Sequence, residues 1–179
     1  MSHLPSLPPD AGLLEFFKEV PGAARPLLDY TQAVLRGDSP LTVAERELIG
    51  AYVSGLNACR FCRSVHSTIA TEFGVPRETL TSALSDIDSS AVEDRMKPLL
   101  HFARKLTETP GQITADDART VLDAGWEEGA LRDAVTVCAL LNMMNRIVDG
   151  LGLASHDGYV AAAASLLADG GYEGVKATL

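Results

Sequence analysis

No stretch of this 179-residue chain alternates apolar and polar residues as a half-buried strand must. The apolar residues fall into consecutive helical segments, separated by short breaks of Gly, Pro and capping residues. Leu13 to Val20 is a short amphipathic piece ended by Pro21-Gly22, and Arg25 to Leu35 is stopped by Gly37-Asp38-Ser39-Pro40. Thr42 with Glu45 forms a capping box that opens a helix to about Leu56, which Asn57 breaks. The next helix carries Cys59 to Phe73 and ends at Gly74, and Pro76 starts a shorter one to about Leu84. Ser90 with Glu93 reads as a second capping box, opening a helix to about Leu106 in which Pro98 marks a kink or a later start. Thr114 caps a helix to Ala124, closed by Gly125. Glu128 to Leu151 is the longest helix, and Ser155 or Asp157 caps a last one through Leu167. The expectation is an all-α, multihelical bundle forming a single domain over residues 1–179, with loose tails at 1–12 and 170–179.

Composition narrows the function classes. Nearly half the residues are apolar and few are aromatic, which suits packed helices with a sizeable core. The net charge is -9, and Lys and Arg form no basic stripe, which argues against nucleic acid. The apolar stretch Ala134 to Leu141 is too short to span a bilayer, so no membrane partner is expected. The first ten residues hold three prolines and lack the basic-then-apolar order of a signal peptide. A cytoplasmic location is the expectation, and three Cys do not make a disulfide scaffold. In that compartment a C-x-x-C pair is kept reduced at rest and is catalytic, redox-sensing or metal-binding.

The chemistry concentrates in Cys59-Arg60-Phe61-Cys62, with His66 four residues on and Glu47 twelve residues before Cys59. At about 100° per residue the two thiols and the imidazole fall within an arc of about 60° on one helix face. Cys59 lies at the helix start, where free N–H groups favour a thiolate, and is expected to be the more exposed. Cys62 lies one turn deeper, placed for deprotonation by His66, directly or through a water. One thiolate can attack an O–O bond to give a sulfenic acid, and the second can condense with it. The same pair can exchange a disulfide with a partner. Two other readings use the same residues: two Cys and a His filling a helix interface, or a zinc site of Cys59, Cys62, His66 and Glu47. Glu47 belongs to a charge run, Glu45-Arg46-Glu47, that reads either as a solvated face or as a carboxylate turned toward the next helix.

Other polar residues call for partners rather than roles. Asn142 and Asn145 interrupt an apolar helix and need hydrogen bonds across the helix pair or near the thiols. Arg146 and Asp149 are spaced to pair. Cys138 reads as a small buried hydrophobe, and Trp126 as packing at a helix start. His3, His101 and His156 receive no role.

Glu, eleven residues, Cys-x-x-Cys, three residues, His is the active-site pattern of the AhpD-like alkylhydroperoxidases, within the carboxymuconolactone decarboxylase superfamily, and this chain resembles them without a gap. The segments 99–107 (LLHFARKLT) and 142–149 (NMMNRIVD) are similar to the subgroup called peroxidase-related, and the resemblance runs from about Leu13 to Leu167. It implies an all-α homo-oligomer, trimeric or hexameric, that reduces hydrogen peroxide or a small organic hydroperoxide through a Cys59–Cys62 disulfide. Cys62 is then the peroxidatic thiol, Cys59 the resolving thiol and His66 the base, with Glu47 acting through a water relay. No cofactor is implied; electrons come from an unidentified thiol or disulfide reductant. One position departs: the best-known members carry a second His just before the second Cys, where this chain has Phe61. Phe61 then lines an apolar entrance or packs in the core. A thiol redox sensor or a partner-binding module using the same disulfide as a switch is the non-enzymatic alternative. Lactone decarboxylation is a further one, although its enzymes generally lack the Cys pair.

Overall fold

The computed structural model describes residues 2–154 and 157–179. Among these residues there are nine α-helices and no strand: α1 (Leu13–Glu19), α2 (Pro21–Arg36), α3 (Val43–Leu56), α4 (Arg60–Glu72), α5 (Arg77–Ser85), α6 (Lys97–Glu108), α7 (Ala115–Asp123), α8 (Glu128–Leu151) and α9 (Asp157–Lys176). The all-α expectation holds. Helices α3 and α4 form the most extensive pair, α8 lies along α3 and α6, and α9 covers α2 and α4. One continuous hydrophobic cluster runs through them, built on Leu35, Ile49, Ile69, Leu99 and Leu141.

Local chemistry explains most boundaries. Thr42 accepts from the Glu45 N–H while Glu45 accepts from the Thr42 N–H, and Thr114 with Asp117 repeats the arrangement. Gly152 closes α8 with a left-handed φ of 63°, a conformation that costs glycine little. Two helix starts differ from expectation, at Pro21 and at Ser90. Helix α1 stops at Val20 just before Pro21, as expected, and Pro21 itself opens α2 four residues ahead of Arg25, because its fixed φ suits the first helical turn. Ser90 donates to the Ile87 carbonyl and caps nothing, and α6 starts only at Lys97, with Pro98 in its first turn. Ser155, one of the two expected caps of α9, lies outside the described residues, as does His156.

The ends are packed rather than loose. Ser2 and His3 donate backbone bonds to Pro9 and Leu151, and Leu7 and Ala11 are buried. At the other end, α9 runs past Leu167 to Lys176. It kinks at Gly171 (φ 61°, ψ -152°), where the next N–H reaches the Gln32 side chain at 2.7 Å. That kink turns Tyr172 into the core, and Lys176 pairs with Asp29 on α2. Apolar side chains at both ends thus offset the cost of ordering them.

Helix α8 is long and apolar enough, by length and composition, to cross a membrane. In this fold it packs against α2, α3, α4, α6 and α7. Cys138 on it is buried against Thr107 and the Ala103 carbonyl, as a small hydrophobe should be. Trp126, just before α8, donates to the Arg95 carbonyl and lies under the Arg95 guanidinium.

The turn between α3 and α4 contains one non-glycine residue at positive φ, Ala58 at 56°. An L-residue there costs roughly 1–2 kcal/mol, of which the extra freedom of an unfolded glycine would return about 0.5–1 kcal/mol. Ala58→Gly is therefore expected to stabilise the protein by about 0.5–1 kcal/mol, read as a rise in the urea midpoint at unchanged slope.

Candidate active site

The site is assembled from four helices. Cys59 is the N-cap residue of α4, and Cys62 and His66 follow on the face that meets α3, α8 and α9. Glu47 projects from the first half of α3 and is fully buried. The charge run splits three ways. Glu45 caps the helix, Arg46 turns back to donate to the Val34 and Gly37 carbonyls at the end of α2, and Glu47 faces α4.

His66 Nδ1 lies 2.7 Å from Glu47 Oε2, and Arg36 Nη1 donates to the other oxygen, Oε1, at 2.5 Å. Burial by itself would raise the Glu47 carboxyl. The charge and hydrogen bond of His66, then those of Arg36, overcome it and hold the group below the ordinary carboxylate range. An ionised Glu47 accepts, so Nδ1 of His66 carries the proton. Nε2 is then the acceptor whenever the ring is neutral.

Arg36 is the functional residue that the sequence reading missed. It also donates to the Leu167 carbonyl of α9, and its guanidinium lies between the rings of Phe73 and Tyr172. The available signal was physical rather than a motif: a carboxylate turned inward requires a cation, and Arg36 closes the helix before α3.

The two thiols are unequal, but not in the way expected. Cys59 is 0% exposed and Cys62 is 4% exposed, so the thiol nearer the helix end is not the accessible one. The turn at Ala58 folds Cys59 under α8, beside Asp149. The two thiols sit one turn apart at the start of α4 and perturb each other. Cys62 holds Cys59 below the usual thiol range against its burial. Cys59 and burial push Cys62 well above that range, with Asn145 opposing. No direct bond joins Cys62 to His66, whose Nδ1 partner is Glu47; Cys59 and Asn145 are the neighbours that act on the Cys62 thiol.

Asparagines fix this turn. Asn57, the C-cap of α3, donates to both Asn142 and Asn145 at 3.0 and 2.9 Å, and Asn145 donates to Ser54. The expected demand of both α8 amides for partners is met across the helix pair. The expected Arg146–Asp149 pair is replaced: Arg146 donates to Asn142, and Asp149 faces Cys59.

Cys62 and His66 border an apolar cavity of about 240 Å³ between α1, α2, α4, α8 and α9. Phe61 lines it, buried and tilted against the Tyr159 ring, so it both packs and walls the cavity. Among the described residues no cluster of three or more His, Cys, Asp or Glu side chains is spaced to hold a metal. Glu47 spends its oxygens on Arg36 and His66 and does not turn toward the thiols. His101 pairs with Asp88 at the surface, and His3 meets the Gly150 carbonyl; neither lines the cavity at Cys62.

Residues 21–105 match the carboxymuconolactone decarboxylase family. That segment runs from the start of α2 into α6 and carries Arg36, Glu47, Cys59, Cys62 and His66. An uncharacterized peroxidase-related protein from Silicibacter sp. TM1040 is similar in structure, with TM-score 0.77 and 20% identity, over 83% of this chain and 78% of its own. A peroxidase-related AhpD-core protein from Ralstonia eutropha JMP134 gives TM-score 0.76 and 20% identity, over 84% and 79%. The debrominase Bmp8 gives 0.70 and 16%, over 85% and 80%. At these identities the likeness is one of fold. No curated protein matches the chain in sequence.

A native carboxyl held below its unfolded value contributes stability that is complete above the ordinary range near about 4.3 and is lost as pH falls through the depressed value. Removing the cation with Arg36→Met leaves a buried charge with one partner and is expected to cost about 3 kcal/mol at neutral pH. It should also flatten the acid limb, because Glu47 then titrates closer to its unfolded value. Urea midpoints of both proteins from about pH 7 to about pH 3 check both expectations; parallel curves would remove Arg36 from the control of Glu47.

Proposed function

We propose that this protein is a thiol-dependent peroxidase of the alkylhydroperoxidase type. The observation that supports this most is the placement of Cys62 and His66 together on the wall of one cavity, with the Cys59 thiol one turn before Cys62 and acting on it. A hydroperoxide entering the cavity meets the sulfur that has a resolving partner and the imidazole that has a carboxylate.

Cys62 passes its proton to His66 Nε2, directly on approach or through a water, while Glu47 stabilises the imidazolium at Nδ1. The Cys62 thiolate attacks the O–O bond of ROOH; the sulfur becomes a sulfenic acid, and the alkoxide takes the proton from His66 and leaves as ROH. Cys59 attacks the Cys62 sulfur, and the hydroxide departs as water with the Cys59 proton. Two thiols and ROOH thus give one disulfide, ROH and water, and a dithiol reductant returns the two electrons by exchange. The high resting position of the Cys62 thiol makes its deprotonation the step that His66 and Glu47 must assist. The low position of Cys59 makes it a ready attacking group in the second step.

This reading includes a reducing, cytoplasmic setting and the trimeric or hexameric homo-oligomer that the resemblance implies; exposed Tyr30 and Met143 are apolar groups that such an interface would cover. A redox switch using the same disulfide is the second reading, favoured by the complete burial of Cys59, which closes it to a partner's thiol until the α3–α4 turn opens.

Peroxide consumption with excess dithiol separates the two. A peroxidase turns over many equivalents, Cys62→Ser abolishes turnover, and Cys59→Ser stalls at a sulfenic acid trapped by dimedone. One equivalent consumed, with a single Cys59–Cys62 disulfide and no turnover, would establish the switch instead.

A further inference from the structure

We infer that the Tyr172 hydroxyl, turned into the cavity by the kink in α9, is the hydrogen-bond donor to the oxygen that departs when Cys62 opens the O–O bond. This catalytic role rests on the peroxidase reading; the placement of the hydroxyl does not. Tyr172 lies outside the segment 21–105 that matches the family, so that match assigns it nothing.

The backbone goes to some length to seat this residue. One position earlier, Gly171 adopts φ 61° and ψ -152°, a region that glycine enters almost alone. A Cβ added to Gly171 would lie 2.5 Å from Gln32 Oε1 on α2. That same oxygen accepts from the Tyr172 N–H at 2.7 Å, so the donor freed by the kink is caught by α2. A break of this kind costs a helix its continuity and persists only where surrounding contacts hold it. Its consequence is to set Tyr172 in the cavity wall with Cys62 and His66. The Arg36 guanidinium lies 5.6 Å from the Tyr172 ring centroid, and Arg36 also donates to Glu47, the partner of His66. The phenol and the imidazole are thus held in register by one cation.

The hydroxyl itself is uncommitted. Tyr172 is buried, and among the described residues only its backbone N–H, not its hydroxyl, makes a hydrogen bond. The hydroxyl is not sealed among side chains as that of Tyr52 is, so it opens on the cavity that its ring lines. A buried hydroxyl is costly until a partner answers it. The other polar groups of the lining are engaged. Thr31 donates to the Leu27 carbonyl and Thr178 to the Val175 carbonyl, both at 2.7 Å. The Tyr159 ring packs on Gly12, where the backbone of Leu13 and Leu14 acts on its hydroxyl. Cys62 and His66 are the nucleophile and its base. Burial, then the Glu47 carboxylate, push the Tyr172 phenol well above its ordinary range, with Arg36 opposing. Tyr172 therefore keeps its proton and remains a neutral donor.

That donor meets a need of the reaction. As the Cys62 sulfur bonds to the terminal peroxide oxygen, the O–O electron pair moves to the other oxygen, and negative charge develops there in an apolar cavity. Tyr172 donates a hydrogen bond to this oxygen and retains its proton; His66 supplies the proton with which it leaves as ROH. A fixed donor aimed at developing charge in such a site is worth about 10²–10³ in rate.

The leaving group provides the test. Hydrogen peroxide expels hydroxide, which needs a donor; peracetic acid expels acetate, which does not. Both are small enough to enter the same cavity. Rapid-quench measurement of Cys62 oxidation compares them. Tyr172→Phe is expected to slow oxidation by hydrogen peroxide about tenfold or more and to leave oxidation by peracetic acid nearly unchanged. Gly171→Ala keeps the phenol but opposes the kink, and is expected to give the same pattern. Circular dichroism verifies that both variants are folded. Equal losses for the two peroxides, the mark of a packing role, or no loss in Tyr172→Phe, overturn the inference and leave the peroxidase reading intact. A Gly171→Ala protein with the ratio of the intact one overturns the assignment of the kink. If neither peroxide oxidises the intact protein, the peroxidase reading is overturned and this role falls with it.

Discussion

The ionised Glu47 sealed between Arg36 and His66 is the interaction on which the rest of the site depends. A carboxylate with no solvent contact is tolerable only if both oxygens are answered, and here one meets a guanidinium and the other an imidazole. Three helices are thereby tied together: α2 through Arg36, α3 through Glu47 and α4 through His66. The same guanidinium reaches α9 through the Leu167 carbonyl and the Tyr172 ring. The charge that orients His66 therefore also anchors the helix that walls the cavity, so chemistry and specificity share one support.

A second constraint, the turn at 57–59, divides the labour between the thiols. Asn57 ends α3 while holding two α8 amides, Ala58 takes a left-handed conformation, and Cys59 becomes the cap of α4. This geometry buries both sulfurs and makes them interdependent: what favours a thiolate at Cys59 disfavours one at Cys62. Access, in contrast, favours Cys62, which lines the cavity. The thiol that ionises more readily and the thiol that meets the cavity are different residues, and His66 stands where that conflict can be resolved.

Much of this was legible in the sequence. Helical spacing, the capping boxes at Thr42 and Thr114 and the glycine stops act within one or two turns, so the helical elements follow from local chemistry. The one-face alignment of Cys59, Cys62 and His66 follows from helix geometry alone, and the demand of Asn142 and Asn145 for partners follows from the cost of a buried amide. The false capping box at Ser90 shows the limit of such rules, since a residue that can cap also bonds equally well within a turn, as Ser90 does to Ile87.

What tertiary structure decided was every relation between helices. No local rule distinguishes Glu47, which is buried, from Glu45 two residues earlier, which caps a helix at the surface; the difference is the Arg36 that arrives from another helix. No local rule hides Cys59, because its burial depends on how the turn folds under α8. The cavity exists only where α9 closes over α2 and α4, and the kink at Gly171 and the seating of Tyr172 depend on contacts with α2. The sequence by itself determined which residues could do thiol chemistry and on which helical face they lie, because those properties are set within a few residues of backbone. Packing alone determined which sulfur meets the cavity, what holds its base and what size of molecule can reach it, because burial and charge pairing depend on partners distant in the chain.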